Sequence, residues 1–317
     1  MSWATQGGFG SGPIVTPGGS GGVVNDPFAI HTNVAGEING LTLVTLANLD
    51  VLVIEDASNA FGKRKIVGSQ ILAPSLYLEG LATNWLTNTT VNIEPGTAKN
   101  VAGNLVMDLG ATTVINFAIN GAGGLDTGAL AANNWYYGWL IGDSTETNAG
   151  TVIGSLANTF AGLSPNLPAG YDRGRRAAAY RSNPVGNLRE FKQLGRAGGQ
   201  RRYAWNNITY ANTQVLSSYS TVAFTTLNCA AFVPPTAQVV HFIARGESSS
   251  GIDSNAYFRP VGASVGIGVL LQAEMFGEDS GLLTMEINSS GQFEAAVGSI
   301  LTDLDVAIYG FDDLLSQ

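Results

Sequence analysis

The chain has 317 residues, of which 45% are hydrophobic, only 12% are charged and 41 are glycine. This composition is typical of a turn-rich all-β protein and argues against a mainly helical one. A formal net charge of −9 argues against nucleic-acid binding as the main activity, because phosphate recognition needs a basic surface.

Residues 1–40 are rich in Gly, Ser, Pro and Asn, which predicts an extended arm that takes its order from a neighbour in an assembly. Its large apolar side chains are candidate docking residues, namely Trp3, Phe9, Ile14, Val15 and Phe28. The arm lacks the basic and apolar regions of a secretory signal peptide. No apolar run in the chain reaches the roughly 20 residues of a membrane span, so we expect no membrane insertion.

Residues 41–75 read as a small β module of two short strands, a polar turn and a third strand. Residues 49–54 are apolar on both faces, and Ser58-Asn59 opens the turn that Gly62 closes. A unit of this size buries too little apolar surface to stand alone. We therefore predict an attachment module that needs copies of itself or a host surface.

The same stretch resembles the N-terminal attachment module of bacteriophage tail fibres and related virion appendages. The shared pattern is a strand ending in acidic residues, a small polar turn, a basic cluster and a short apolar end. In this chain it is carried by Leu52, Ile54, Asp56, Gly62, Lys63, Lys65, Ile66 and Leu72. The resemblance implies that residues 1–75 attach the protein to a virus particle assembled in the host cytoplasm.

Residues 76–317 contain many short strand patterns separated by turn signals, and no segment keeps a helical period. The predicted strands cover residues 89–94, 105–109, 113–119, 135–141, 175–181, 187–193, 221–226, 238–244, 256–260, 267–275, 282–287, 292–297 and 305–309. This spacing predicts a β-sandwich of jelly-roll type with little helix. Residues 210–219 are either a boundary between two halves of the sandwich or one long loop.

A second resemblance lies in residues 123–194. They carry, in order, Gly-Leu-Asp-Thr-Gly, Asn-x-Trp-Tyr, Leu-Pro-x-Gly-Tyr, Arg-Arg and Gly-Asn-x-x-x-Phe, and residues 91–100 fit the start of the same domain. The series resembles a β-rich domain of phage fibre and virion surface proteins and spans about residues 85–310. That family consists mainly of structural and host-contact proteins, and it implies no catalytic residues for this chain.

Few residues are suited to metal or nucleophilic chemistry. The chain has one cysteine, Cys229, and two histidines, His31 and His241, too few for a Cys/His metal cluster. The apolar neighbours of Cys229 predict a buried core thiol. Strand alternation places His241 opposite Val240 and Phe242, on a solvent or interface face. No glycine-rich loop follows a strand and opens a helix, so we predict no cofactor.

Paired carboxylates leave one enzymatic alternative, a glycan-degrading tailspike. The candidate pairs are Glu274 with Glu278 and Asp279, or Asp303 with Asp305. Such spikes are usually long β-helices with a repeating pattern, and this chain has no tandem repeat. We therefore predict no enzyme activity.

The charges are unevenly distributed along the chain. Residues 173–202 hold nine of the fifteen basic residues and one acid, whereas residues 246–317 hold eleven acids and one base. One interpretation pairs the arginines with acidic strands of the same or a neighbouring subunit. The predicted subunit-interface residues are Arg173, Arg175, Arg176, Arg181, Arg201 and Arg202. The alternatives are RNA binding, with Tyr203 and Trp205 stacking on bases, and contact with anionic host glycans.

Together these patterns predict a structural phage virion protein. The favoured role is a homotrimeric tail fibre or receptor-binding adhesin, held through its N-terminus to other virion proteins and contacting a host surface receptor, including glycans, through the β domain. The runner-up is a capsid decoration or head-fibre protein, and the third alternative is the tailspike. Neither nucleic acid nor a cofactor is an expected partner.

Overall fold

The structure, a computed structural model, describes residues 51–56, 62–67, 77–103, 105–145, 150–197, 200–206, 209–248, 254–264, 269–273, 278–298 and 301–315. The chain divides into two compact units, Met1–Gly68 and Ser69–Gln317. The arm of residues 1–40, with its five docking candidates and His31, lies outside the described residues.

The described residues form strands with two short helical segments. The strands are β1 (Val51–Asp56), β2 (Gly62–Val67), β3 (Leu78–Gly80), β4 (Thr83–Thr87), β5 (Thr90–Ile93), β6 (Gly96–Lys99), β7 (Val106–Leu109), β8 (Thr113–Asn116), β9 (Trp135–Gly142), β10 (Thr151–Ser155), β11 (Arg173–Arg181), β12 (Phe191–Ala197), β13 (Gln200–Trp205), β14 (Gln214–Leu216), β15 (Thr225–Asn228), β16 (Ala237–Ser248), β17 (Ser254–Pro260), β18 (Val269–Ala273), β19 (Glu278–Glu286), β20 (Gln292–Val297) and β21 (Leu301–Leu314). The helix α1 (Phe160–Leu163) runs into a 3₁₀ turn, Ser164–Asn166, and a second 3₁₀ turn covers Tyr210–Asn212. None of the described helices is long and apolar enough to cross a membrane.

In the first unit, β1 and β2 pair as an antiparallel hairpin. The register runs from Val51 opposite Val67 to Asp56 opposite Gly62. The polar turn predicted between them falls on residues outside the described part of the chain.

The second unit is built around a nine-stranded antiparallel sheet in the order β19-β16-β21-β13-β12-β4-β5-β8, with β14 pairing to β21. Its long strands β16 and β21 pair over nearly their whole length and carry bulges that bend them together. Gly310 in β21 allows a close backbone approach, because a Cβ there would overlap the carbonyl oxygen of Tyr203 in β13. Residues 210–219 belong to this sheet through β14.

A four-stranded sheet, β15-β20-β17-β18, shares its core with the nine-stranded sheet. Phe242 on β16 contacts Phe258 on β17 and Phe293 on β20, with ring centroids 5.0 and 4.9 Å apart. All three side chains are fully buried. Stacking of two antiparallel sheets over interdigitated aromatic side chains is the packing of a β-sandwich.

Two three-stranded sheets complete the unit, β10-β9-β11 and β3-β6-β7. Strand β9 is buried on both faces, which explains its run of aromatic and aliphatic residues. Tyr136 and Leu140 join the main core, whereas Tyr137, Trp139 and Ile141 join a second cluster under α1. One strand therefore links two cores.

The structure confirms the all-β prediction, with antiparallel sheets and very little helix. The predicted strand at 292–297 matches β20, and the strand at 135–141 matches β9 to within one residue. Strand β21 extends well beyond the predicted 305–309, because its residues 310–314 pair with β13 and its residues 301–304 pair with β16. The sequence did not predict six of the strands, namely β3, β4, β6, β10, β13 and β14. In β13, Arg201 is buried and Arg202 is exposed. Because both are charged, the alternation of buried and exposed residues cannot be recognised from hydrophobicity.

Candidate binding cleft and arginine cluster

Arg176 on β11 forms an ion pair with Asp313 on β21 in which both side chains are fully buried. The Arg176 Nη1 lies 3.1 Å from the nearer Asp313 oxygen and donates to Thr236 Oγ1 at 2.7 Å. Its Nη2 donates to the carbonyl oxygen of Leu314, and the guanidinium lies 5.4 Å from the ring centroid of Tyr137. The buried charge is thus matched by an opposite charge and by acceptors on three residues.

Asp312 is the centre of a second cluster, in which Asp312 and His241 are buried and Arg202 is exposed. Arg202 donates to it from Nε and Nη2 at 2.8 and 3.0 Å, and the His241 Nε2 lies 2.9 Å from its Oδ1. Burial alone would raise the pKa of the Asp312 carboxyl, but the hydrogen bonds from Arg202 and His241 outweigh it and lower that pKa. The sequence predicted His241 on the solvent or interface face of its strand. In the structure the side chain is buried, so the predicted solvent exposure is wrong.

Two further arginines are buried inside the chain. Arg201 is 2% exposed and its Nη2 donates to the carbonyl oxygen of Gly80 at 2.8 Å. Arg175 is 1% exposed, and its three nitrogens have no acceptor among the residues that the structure describes. Burial, with a smaller effect from neighbouring Arg176, lowers the pKa of Arg175. A buried guanidinium without a hydrogen-bond partner lowers the stability of the fold, and in this respect Arg175 differs from the paired Arg176.

The remaining two arginines of the predicted interface set are only partly buried. Arg173 pairs with exposed Asp172 at 3.0 Å. Arg181 donates to the carbonyl oxygen of Asn133 at 2.6 Å, and its guanidinium lies 5.6 Å from the ring centroid of Trp135.

Three of the six arginines form ion pairs within the chain, namely Arg173, Arg176 and Arg202. Arg175, Arg176 and Arg201 are buried in the single chain, which takes their side chains out of a subunit interface. For Arg173, Arg181 and Arg202 an interface role stays a prediction. Tyr203, expected to stack on RNA bases in one alternative, is buried with its ring stacked on Phe311 at 4.9 Å.

Of the two predicted carboxylate groups, the structure describes the side chains of one, Asp303 with Asp305. Asp303 and Asp305 lie two residues apart on β21, and the register sets Asp303 beside Glu247 on β16 and Glu247 beside Glu278 on β19. Burial, followed by repulsion from Asp305 and Glu247, raises the pKa of Asp303. Glu274 lies outside the described residues, as do the side chains of Glu278 and Asp279. Within the described ranges no group of three or more His, Cys, Asp or Glu side chains could hold a metal ion.

Cys229 is fully buried, as the sequence predicted. Burial raises the pKa of its thiol to about 12. A thiol that stays protonated at neutral pH is a poor nucleophile, so Cys229 serves as a small core residue.

The feature best suited to binding is a cleft of about 600 Å³ in the second unit. It is lined by Trp85, Asn88, Asn183, Pro184, Leu188, Arg189, Glu190, Trp205, Asn206 and Asn212. An adjoining cleft of about 350 Å³ shares Trp85, Glu190 and Asn206 and adds Asn84, Phe191, Lys192, Gln193 and Leu194. We call the two together the Trp85 cleft. Its volume lies in the range of about 300–1,000 Å³ in which small-molecule sites fall.

Strands β4, β12 and β13 and the segment between β11 and β12 position these side chains. Asn183 Oδ1 accepts from the backbone N–H groups of Val185 and Asn187 at 3.0 and 2.9 Å, which fixes the turn at one wall. The backbone N–H of Leu188 donates to the carbonyl oxygen of Asn88 at 2.7 Å and ties that turn to the β4–β5 hairpin. The cleft wall is therefore held by hydrogen bonds from backbone N–H groups to the Asn183 side chain and to the Asn88 carbonyl oxygen.

Several buried donors at the Trp85 cleft have no hydrogen-bond acceptor within the described part of the chain. They are Trp85 Nε1, Arg189 Nε and Gln193 Nε2. By contrast, the Asn206 amide donates to Glu190, and Trp205 Nε1 donates to the carbonyl oxygen of Phe232 at 3.1 Å. All three nitrogen atoms are themselves closed off from solvent, and unpaired donors of this kind also occur away from the cleft, for example Arg175 Nη1 and Arg176 Nε.

Sequence reasoning did not identify this cleft. Trp205 was singled out as a possible base-stacking partner and is 4% exposed, and Arg189 and Lys192 belong to the basic segment of residues 173–202. The available signal was a pair of Trp–Asn neighbours, Asn84-Trp85 and Trp205-Asn206. Nothing in the local pattern predicts that these two pairs meet, because β4 and β13 are both adjacent to β12 only in the folded sheet.

Comparisons with known proteins do not assign a family. No family model and no curated protein matches the chain. Among solved structures, an exo-β-1,3-galactanase from Phanerochaete chrysosporium with bound β-1,3-galactotriose is 11% identical, with a TM-score of 0.22 over 80% of this chain and 61% of that chain. A Bacillus thuringiensis Cry1Da tryptic core variant is 9% identical, with a TM-score of 0.18 over 76% of this chain and 52% of that chain. The chain thus spans less than two thirds of either neighbour, and likeness at this level carries no assignment of fold family or activity.

Proposed function

We propose that the protein is a non-enzymatic structural component of a phage virion, an adhesin that is attached through residues 1–75 and contacts the host surface through its second unit. The attachment half of the proposal rests on the resemblance of residues 52–72 to tail-fibre attachment modules. The adhesion half rests on the Trp85 cleft.

The Trp85 cleft is the observation that carries the proposal. It combines the half-buried indole of Trp85 with several carboxamide side chains, and apolar surface with a few polar groups is typical of a recognition site. Its lining holds one carboxylate, Glu190, in the part of the chain that the structure describes. Glycoside hydrolysis by the common mechanisms needs two carboxylates that flank the bond. The cleft therefore supports binding without cleavage, in preference to the tailspike alternative.

The attachment half is tested by particle incorporation. We expect a fusion of residues 1–72 to a fluorescent protein to decorate virions, and a chain lacking those residues to be missing from them. Immunogold images of intact virions then separate a tail location from a capsid location. Incorporation of the 73–317 fragment at the wild-type level contradicts this division of roles.

The adhesion half is tested with the purified full chain. We expect it to bind host cells and to leave their surface polysaccharide at its original length. Shortening of capsule or lipopolysaccharide chains that is abolished by Glu190→Gln or Asp303→Asn contradicts the non-enzymatic role.

A further inference from the structure

We propose that the Trp85 cleft binds an acidic saccharide, with a carboxylate of the ligand against the Arg189 guanidinium and a sugar ring against the Trp85 indole. This inference rests on the proposed adhesive function and names the class of ligand that the cleft takes.

The first argument is a pair of arginines without a counter-charge. The backbone N–H of Arg189 donates to the carbonyl oxygen of Arg181 at 2.7 Å, beside an antiparallel bridge between Ser182 and Leu188. The two arginines therefore lie directly opposite each other, with both side chains on one face. Neither forms an ion pair with a residue that the structure describes. Like charges placed opposite each other repel, so an anion bound beside them relieves the repulsion.

Other arginines of the second unit are neutralised by acids. An ion pair with a carboxylate is made by Arg173, Arg176, Arg202 and Arg259. The Arg189 guanidinium lies instead 5.2 Å from the ring centroid of Phe232, and that of Arg181 lies 5.6 Å from the ring centroid of Trp135. An aromatic face attracts a cation but does not cancel its charge. Burial lowers the pKa of Arg189, and burial together with the nearby Arg189 charge lowers the pKa of Arg181. A bound anion would offset this cost of keeping both groups charged.

The second argument is access to the Arg189 guanidinium. Arg189 is partly buried and lines the larger part of the cleft. Its Nε is closed off from solvent, but its two Nη atoms are not, and they donate to no residue that the structure describes. A carboxylate can therefore bind end-on, with one oxygen on each Nη.

The third argument is the balance of charge along the cleft. Two basic residues, Arg189 and the exposed Lys192, lie against one carboxylate, Glu190. Glu190 accepts from the side-chain amide of Asn206, and it forms no ion pair with another described residue. The described lining thus has one positive charge in excess, which favours an anionic ligand over a neutral one. One excess charge is too small a basic surface for nucleic acid, which presents a phosphate at every nucleotide.

The uncharged part of the lining indicates what carries the anionic group. Trp85 is partly buried and lines both parts of the cleft, where it offers a broad apolar face. Asn88 and Asn212 are exposed at the rim of the larger part. A carboxamide both donates and accepts, as a hydroxyl does, so it pairs with a diol in either direction. A uronic acid has the matching character, with an apolar face of C–H groups, a rim of hydroxyls and one carboxylate.

An acidic peptide is a poorer fit to the same cleft. Peptides commonly bind β proteins by adding a strand to an open sheet edge. Here β4 lies between β12 and β5, and β12 lies between β13 and β4, so neither strand offers a free edge. The cleft thus presents side chains in place of a ladder of backbone groups.

The test is calorimetric titration of the full chain with two acidic saccharides, trigalacturonate and sialyllactose. Methyl-esterified trigalacturonate is the matched neutral probe, because it keeps the rings and loses the charges. Acetate and inorganic phosphate probe the anion alone, and triglutamate probes an acidic peptide. We expect at least one acidic saccharide to bind at millimolar or lower concentration, and the methyl ester to bind at least about tenfold more weakly. Added salt should weaken the binding, because it screens charge–charge attraction.

Variants locate the binding. Arg189→Gln should weaken it at least about tenfold, and Arg189→Lys, which keeps the charge but loses the pair of Nη donors, should weaken it less. Lys192→Gln, at an exposed position, should weaken the binding of trigalacturonate and gives a second reading that does not depend on core packing. Arg173→Gln is the matched control, because it removes an arginine from the other end of β11, outside the cleft, and should leave the affinity unchanged.

Four results would overturn the inference: no binding of either acidic saccharide, equal binding of the methyl ester, binding that is insensitive to both Arg189→Gln and Lys192→Gln, or binding of acetate, phosphate or triglutamate as tight as that of the acidic saccharides. Adsorption of the same variants to host cells separates this inference from the proposed function. If Arg189→Gln and Lys192→Gln both adsorb as well as the unaltered chain, the saccharide inference fails and adhesion stands. If the unaltered chain does not adsorb, the adhesive function fails whatever the titrations show.

Discussion

Substitution by methionine should lower the stability of the second unit at Arg176, but not at the adjacent Arg175. Arg176→Met removes the partner of a fully buried carboxylate and leaves Asp313, Thr236 and Leu314 with unmatched polar groups. Breaking a buried pair on one side costs about 3–5 kcal/mol, because a buried charge is left uncompensated. A native protein has only about 5–15 kcal/mol of stability in total. We therefore expect Arg176→Met to lower the Tm of the second unit by on the order of 10 °C.

Arg175→Met removes a buried guanidinium that has no acceptor among the described residues. Methionine fills much of the same volume and adapts its shape to the site. Since no partner is stranded by this change, the free energy of unfolding should stay the same or rise. Arg173→Met is the control, because its ion pair with Asp172 is exposed and such pairs contribute about 0–1 kcal/mol.

The assay is urea denaturation of the full chain followed by tryptophan fluorescence. Four of the five tryptophans, all except Trp3, lie in the second unit, so the signal reports on its unfolding. The expected order of midpoints is Arg175→Met at or above the unaltered chain, Arg173→Met close to it, and Arg176→Met far below. If Arg175→Met is as destabilising as Arg176→Met, the Arg175 side chain has a partner and the reasoning from its burial fails.

Four further predictions concern other parts of the fold. Asp312→Asn should lower the urea midpoint at pH 7 and lose that effect as the pH falls below about 4, because a carboxyl with a lowered pKa stabilises the fold only while it is ionised; an effect equal at pH 7 and pH 3 contradicts this. Cys229 should resist a thiol reagent at pH 8 in the native protein and react once it is unfolded in urea, so rapid native labelling contradicts its burial. Gly310→Ala should destabilise the second unit by about 1–3 kcal/mol in the same urea assay, because its Cβ would overlap the Tyr203 carbonyl oxygen; an unchanged midpoint means that β13 and β21 separate easily. Light scattering of the full chain should give the mass of a homotrimer, and a mass near 32.9 kDa contradicts it.

The sequence alone was sufficient to predict the class of fold. Period-two alternation and turn residues locate strands such as β9 and β20, because both signals are local and depend only on a few consecutive residues. The apolar neighbours of Cys229 likewise predict its burial. The uneven charge distribution predicts that the arginines of residues 173–202 meet the acids near the C-terminus, because both segments alternate along strands.

Only the tertiary structure decides which arginine meets which acid. Arg176 and Asp313 are 137 residues apart, and Arg202 rather than Arg201 reaches Asp312 because the β13–β21 register sets its side chain on that face. Alternation specifies the two faces of a strand, but it does not specify the partner strand or the register. Arg175 and Arg176 are adjacent in β11 and pair with Leu140 and Trp139 of β9, so their side chains lie on opposite faces of the strand and only Arg176 pairs with Asp313.

The Trp85 cleft is likewise a product of the sheet order. Trp85 and Trp205 come together because β12 pairs with β4 on one side and β13 on the other. Neither tryptophan lies in a predicted strand. Whether the indole N–H of each finds an acceptor depends on atoms from distant segments, which packing alone brings within hydrogen-bond distance. The sequence therefore determines that strands form and which residues they bury, and long-range strand pairing decides where a ligand can bind.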